Sequence, residues 1–454
     1  MSHQSTPDQS QLSFLLPTFR QMLNMGHPLI KMADMIDWNR VNYDFECYYT
    51  DFGRPSKPIR LMVGMLILKQ LRNLSDEGLV ELWVENPYFQ YFCGESELQL
   101  SCPIEANELS IFRSRIGKDG AEKIFKLSID LNGDESKDEE VIFDTTVQEK
   151  DITFPTDDKL YIKIIDKCRA MAEDHHLELR QSYRFVVRNL RQQLKFRSHP
   201  KRAKQGRKAS KKLKTIAGRL IRELERKMPT VALANNNLEL TLFKKVLKQK
   251  KQDSQKIYSL HEPHVQCISK GKAHKKYEFG CKTSIGWTRT TGVIVGAISF
   301  EENLYDGHTL SAALEQVEKL TGQRPKVAIG DMGYRGKKEI AGTQVVTPYT
   351  TRPKSSYQKR KARQRFRRRA GIEPIIGHLK SDHRLARNFL KGTRGDHING
   401  LMAAAAFNFK RILRNLKDPI ALLVNVLIKL FRPNLQFQFL EKLLDLGPYE
   451  QPDQ

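Results

Sequence analysis

The chain has 454 residues and carries 77 Lys and Arg against 52 Asp and Glu, a net charge of +25. That length allows two or three domains with cores of their own, and so large a basic excess points to a polyanionic partner. No apolar run reaches the roughly 18 residues a membrane span needs, the start MSHQSTPDQS lacks a signal-peptide pattern, and six scattered cysteines without a C-x-x-C suit reduced thiols and not a disulfide framework. The expectation is a soluble protein of the cytoplasm. The longest apolar stretch, PIALLVNVLIKLF at 419–431, is interrupted by Lys429 and reads as a buried or partner-facing helix.

In chain order, residues 1–135 read as helical. SKPIRLMVGMLILKQLRNLS has apolar faces and a Ser-Lys-Pro start, Ser75 is placed as the N-cap of the next helix, and a third helix covers roughly 106–129. A helix-turn-helix domain and a plain helical packing domain fit this pattern equally. DLNGDESKDEE at 130–140 reads as a linker. Val141–Phe143 is a short apolar run that predicts a buried strand with Asp144 at its exit. From 166 to 255 the pattern is helical and strongly basic. Strands return over 256–285 and 291–300, followed by a helix closed by Gly322. KVAIGDMGYRG is another apolar strand ending in an acid, Asp331, and TQVVTPYT one more strand. Residues 352–369 hold ten Lys or Arg and no acid, and a long helical region containing Glu373 follows.

Two acids at strand ends and one on a helix converge on one edge of an open mixed sheet, where ligand sites of such sheets lie. Three carboxylates pointing together repel unless cations sit between them. Mg²⁺, with Mn²⁺ as a substitute, is the hard oxygen-seeking ion for phosphodiester chemistry. Asp144, Asp331 and Glu373 are therefore the candidate metal ligands and catalytic acids. Taken singly, each acid is better explained as a helix cap or a salt-bridge partner; the three together, in this order on a basic chain, favour the metal reading. Phe366, Arg369, Glu373 and Lys380, offset by 3, 4 and 7, share a face in a continuous helix, although Pro374 favours a helix start or kink at Glu373. That face joins a metal ligand to two phosphate binders. Arg365, Arg367 and Arg368 of the basic run and His383 beyond it are further candidates for DNA contact, as is Tyr334 for stacking.

With these blocks identified, the chain resembles a bacterial insertion-sequence transposase of the DDE type, in the IS5 group of the IS4-like superfamily. GRPSKPIRLMVGMLILKQLRNLSDEGLVELWVENPYFQYFCG is similar to that group's N-terminal domain. DTTVQEKDITFPTD, GDMGYRG and RRRAGIEPIIGHLKSDHR resemble its three acid blocks. The signature Y-x2-R-x3-E-x6-K falls on Phe366, Arg369, Glu373 and Lys380, with Phe in place of Tyr. The resemblance implies an α/β fold, an RNase H-like mixed-sheet core with a helical N-terminal domain and a basic helical insertion. The corresponding boundaries are 1–135 for the DNA-binding domain, 136–165 with 256–415 for the core, 166–255 for the insertion and 416–454 for a C-terminal helical tail. It further implies double-stranded DNA as partner (terminal inverted repeats and target), a homodimer or higher oligomer, Mg²⁺-dependent end cleavage, joining of the 3′-OH to target DNA, and a place at the bacterial nucleoid.

His261, His264 and Cys267 in HEPHVQC have zinc-like spacing that Cys281 or His274 would complete, but the alternation also suits paired strands. His378 lies near the proposed site. A DNA-binding derivative that no longer cuts, and a nuclease that cuts without joining, are the alternatives to a transposase.

Overall fold

A computed structural model of the chain describes residues 17–50, 55–195, 197–250, 252–269, 275–348 and 355–417. The apolar stretch at 419–431, nearly all of the tail, His274 and the start of the 352–369 run lie outside them. The described residues fall into two compact units, one of 17–116, 123–133 and 405–417, the other of 117–122 and 134–404.

The first unit is helical: α1 (Phe19–Met22), α2 (Pro28–Met35), α3 (Trp38–Glu46), α4 (Ile59–Leu71), α5 (Asp76–Glu85), α6 (Pro87–Phe92) and parts of α7 (Ala106–Asp130). α4 is buried along almost its whole length because it is apolar on every face, as a central helix must be. It starts after Pro58 without a side-chain cap, so the serine of the Ser-Lys-Pro start does not cap it. Ser75 does cap α5, accepting from the Gly78 N–H at 3.0 Å. α7 breaks at Gly117, whose φ of 59° and ψ of −151° only glycine adopts readily. Asp76 accepts both arms of Arg113 at 2.7 and 2.6 Å and Lys69 at 2.7 Å. Burial raises its pKa, but these two cations outweigh it and hold the carboxyl below its ordinary value. This stabilisation is present above the unfolded carboxylate pKa of about 4 and lost as pH falls through the lower folded value. The stability deficit of Asp76→Asn is expected to shrink on acidification below that range. A deficit independent of pH in urea titrations would contradict the charge reading.

The second unit is built on an eight-stranded mixed sheet ordered β2 (Gln266–Ser269), β3 (Tyr277–Thr288), β1 (Glu140–Lys150), β5 (Val327–Ile329), β7 (Thr343–Val346), β6 (Glu339–Ile340), with β4 (Ile294–Phe300) on β3 and β8 (Arg387–Asn388) on β1. This is an RNase H-like core. β1 is its axis. One edge pairs antiparallel with β3 from Val141↔Thr288 to Glu149↔Gly280. The strands approach so closely that a Cβ at Gly280 would lie 1.9 Å from the Gln148 carbonyl oxygen. The other edge pairs in parallel with β5 only at 140–142 and with β8 only at 149–150. Among the described residues no strand joins that edge between these two stretches, and α14 (Ile372–Asp382) packs against β1.

The helices of this unit are α8 (Asp157–Asp174), α9 (Arg184–Lys195), α10 (Ala203–Lys227), α11 (Thr230–Lys248), α12 (Asp306–Thr321), α13 (Ser356–Arg369), α14 and much of α15 (Gly392–Lys417). α8 to α11 pack around an apolar core of their own that includes Ile164, Ile165, Leu213, Leu220 and Phe243. α12 covers the sheet through Leu310, Leu314 and Val317 and ends, as expected, at Gly322 with φ 72°. Two expectations need correction. β1 runs on past Asp144 to Lys150, because Thr145, Thr146 and Val147 continue both the β-rich pattern and the ladder with β3. The region after Glu373 is not one helix. α14 ends at Asp382, and β8 intervenes before α15.

Candidate active site

Asp144 and Asp331, 187 residues apart in sequence, are brought level by the sheet. The last parallel pair between β1 and β5 is Ile142↔Ile329. Each aspartate follows two residues later, and a period of two puts both on the same face, just past the end of β5. The backbone then holds them. Asp144 Oδ1 accepts from the Thr145 N–H at 2.8 Å, and Asp331 Oδ1 accepts from the Gly333 N–H at 2.8 Å as the cap of the 3₁₀ turn Met332–Tyr334. With Oδ1 engaged in both, Oδ2 of both faces the same guanidinium: Arg369 Nη2 is 3.8 Å from each. The pair therefore shares one cation, as two neighbouring carboxylates must.

Arg369 ends α13, and Glu373 sits in the first turn of α14. Between them the helix breaks at Ala370 and Gly371. Pro374 has no N–H to offer the Ala370 carbonyl, which accepts from the Glu373 N–H at 3.3 Å instead. Gly371 packs on Trp287, where a Cβ would lie 3.2 Å from the ring. The break thus comes just before Glu373, leaving Glu373 and Lys380 on one helix two turns apart. Glu373 is exposed. Among the described residues no three acid, histidine or cysteine side chains are arranged to hold a metal ion.

Several residues expected at a DNA surface are engaged elsewhere. Tyr334 is 2% exposed, its ring folded beneath Gly330 by the turn, so it offers no face to a base. Its buried hydroxyl has the Ser284 side chain beside it. Burial first, then the charges of Asp144, Asp306 and Asp331, push its pKa well above the ordinary value, so it stays protonated beneath the carboxylates. His383 is fully buried at the end of α14, out of reach of a phosphate. Arg368 donates through Nε to the Arg289 carbonyl at 2.7 Å and lies 4.9 Å over the Trp287 ring, which anchors α13. Arg367 is exposed and Lys380 half-buried; the Arg365 side chain lies outside what is described. His378 is exposed and 3.2 Å from Asp382.

The zinc-like cluster disperses. His261 pairs with Ser259 at 2.9 Å, and Cys267 pairs with Tyr258. His264 lies 3.3 Å from Asp396 and 3.4 Å from Glu262. Those two carboxylates flank the buried Lys150 at 2.6 and 3.6 Å.

Sequence reading missed Asp306 and Lys282. Asp306 Oδ1 accepts from Thr145 Oγ1 at 2.8 Å and from Lys282 Nζ at 2.9 Å, and its Oδ2 lies 2.7 Å from where a Gly333 Cβ would stand. It thereby ties the strand of Asp144 to the turn of Asp331. The visible signals were an acid opening α12 and a lone lysine inside an otherwise uncharged strand stretch, GCKTSIGWT.

Two family models match this chain. The family described as "Transposase domain (DUF772)" covers residues 17–115, and the family described as "Transposase DDE domain" covers 246–409. A Rhizobium meliloti protein, "Uncharacterized protein ORF8 in nfe locus", is 39% identical over 184 residues, a match spanning 39% of this chain and 89% of that protein. The chain belongs to the DDE-domain transposases. No solved structure matches it. The DDE match contains Asp306, Asp331, Arg369 and Glu373. Asp144 lies outside both matched segments and joins the site through the register of β1. The transposase is thus a DNA-acting enzyme of a class that generally uses divalent metal ions. No helix among its described residues is long and apolar enough to cross a membrane.

The donor set suits such an ion. Two hard oxygens, one from each aspartate, face a common point now served by a cationic side chain, and the protonated Tyr334 hydroxyl lies beneath.

Proposed function

We propose that this is the transposase of an insertion sequence of the IS5 group, which cleaves the element's terminal inverted repeats and joins the freed 3′-OH ends to target DNA. The observation that carries this reading is the Asp144–Asp331 pair, levelled by the β1–β5 register and sharing one cation. Asp144, Asp331 and Glu373 are the catalytic acids and the ligands for Mg²⁺, which Mn²⁺ replaces. When bound, the metal supplies an activated water and stabilises the leaving oxygen. Thr145 and Gly333 fix the two aspartates through their backbone N–H groups. Asp306 acts through Thr145 and holds the two acid-bearing segments together. Arg365, Arg367 and Lys380 take phosphates of the bound ends. Residues 1–135 read the terminal repeats, 136–165 with 256–415 form the catalytic domain, 166–255 the insertion and 416–454 a helical tail. Two ends held together call for a homodimer or higher oligomer, and the protein acts on the nucleoid of a bacterial cytoplasm.

The test is Mg²⁺-dependent nicking and joining on duplexes carrying the repeats that flank the gene. Cut and joined products support the proposal. Cut products without joining reduce it to a nuclease, and binding without cutting, by a folded protein on correct ends, reduces it to a DNA-binding relic.

Arg369 has two tasks in this scheme. Without metal it neutralises the aspartate pair, and with metal and DNA it turns to a phosphate. Arg369→Ala is then expected to bind Mn²⁺ about ten-fold more tightly in the absence of DNA, roughly the effect of 1.4 kcal/mol of relieved competition, while cleaving more slowly. Weaker Mn²⁺ binding by the variant in a calorimetric titration would show that Arg369 does not compete with the ion.

A further inference from the structure

The basic excess is not confined to the approach to Glu373. Residues 184–227, which contain α9 and α10, hold 17 Lys or Arg and only two acids, Glu223 and Glu225. Both acids are occupied: Glu223 pairs with Lys227 at 2.9 Å and Glu225 with Lys244. α10 turns its apolar residues inward. Ala209, Leu213, Ile216, Ala217, Leu220 and Leu224 are buried. At 100° per residue, Lys204, Lys208 and Lys211, followed by Arg219 and Arg222, fall on the opposite face. Lys204, Lys208, Lys211, Lys212 and Arg219 are exposed. Among the described residues Lys204, Lys208, Lys211 and Lys212 make no ion pair. A solvated face with no partner would ordinarily mix signs, since like charges three and four residues apart destabilise a helix. This one stays cationic through its first four turns.

We propose that the outer face of α10 is a second duplex-binding surface, which holds the DNA backbone without reading sequence. The helix is 25 residues long, about 37 Å, close to one turn of B-DNA at roughly 34–36 Å. Its lysines are flexible point charges, suited to phosphates and not to base edges. No exposed large apolar side chain lies on α10 to enter a lipid surface, which favours duplex over membrane. The proposal rests on the transposase reading and adds to it a surface for flanking or target DNA, apart from the residues assigned to the element's ends.

The test uses the full chain and a labelled 30-base-pair duplex of arbitrary sequence in EDTA, where no cleavage occurs. Replacing Lys204, Lys208, Lys211 and Lys212 together by Gln is expected to weaken binding at least ten-fold. It should also make the slope of log affinity against log salt shallower by about 3, near 0.9 per lost phosphate contact. The fourfold Lys→Arg variant should bind like wild type. Lysine footprinting of the wild type should show Lys204, Lys208 and Lys211 protected by the duplex, a readout that does not depend on how the variants fold. Unchanged affinity and slope in the Gln variant, no protection in the footprint, or binding to phosphatidylglycerol vesicles in place of duplex would each overturn the proposal. At low salt and saturating end DNA the Gln variant should still nick with Mg²⁺. Loss of this surface and failure of the catalytic reading are thereby told apart.

Discussion

Glu373→Gln is expected to bind end DNA as wild type does and to lose Mg²⁺-dependent cleavage by about a thousand-fold or more. The substitution keeps the shape and removes one negative charge at the start of α14. The exposed position of Glu373 means that no buried partner is stranded, so folding is undisturbed. A metal ion in such chemistry stabilises the transition state by several kcal/mol, and each 1.4 kcal/mol lost is ten-fold in rate. Asp144→Asn and Asp331→Asn should do the same. In both the backbone hydrogen bond to Oδ1 survives, while the charge shared with Arg369 is lost. Equal nicking rates for Glu373→Gln and wild type at matched DNA occupancy would remove Glu373 from the catalytic set and leave the two aspartates to be explained alone.

Lys150→Ala is expected to cost about 3–5 kcal/mol of folding stability, the range for breaking a buried ion pair from one side. Lys150 Nζ is bonded to Asp396 at 2.6 Å and to the Gly392 carbonyl at 2.9 Å, with Glu262 3.6 Å away, and its side chain is 2% exposed. Without it two buried carboxylates face each other with no full positive charge, held by His264, by the Asn388 amide on Asp396 and by the Gly392 N–H on Glu262. Burial raises the pKa of Asp396, but hydrogen bonding to His264 and the Lys150 charge outweigh it and leave the carboxyl below its ordinary value. The stabilisation is therefore full above about pH 4 and lost as pH falls through the folded-state value. The deficit of the variant should narrow in acid. The cluster also ties the end of β1 to β8 and α15, the segment that follows α14, so the variant should loosen the frame of Glu373 as well. Urea unfolding read from Trp287, the tryptophan of this unit, measures the loss. A change under about 1 kcal/mol would mean that water replaces the lysine at little cost.

Much of the fold could be read along the chain because its signals are local. Ser75 as a cap, Gly322 as a helix end and the apolar runs at 141–143 and 327–329 each act within a few residues. The three acids were singled out on the same local grounds, as polar residues after short apolar runs or near a helix start in a basic context. Three matters were not local. The continuation of β1 to Lys150 depends on its ladder with β3. The burial of Tyr334 and His383 depends on how a turn and a helix end pack, which residue type does not reveal. Asp306 acquires its place only when α12 brings its first residue against Thr145 and Lys282.

By itself, the sequence determined a strongly basic chain, an alternating α/β core and three acid blocks that resemble those of transposases, because charge, periodicity and motif spacing are properties of the chain. The tertiary structure decided which side chains meet. Parallel pairing of Ile142 with Ile329 levels two aspartates 187 residues apart, and a helix break forced by Pro374 and accommodated by Gly371 leaves Arg369 between them while Glu373 begins the next helix. Register and packing are set by contacts between distant segments, and such contacts exist only once the core has formed.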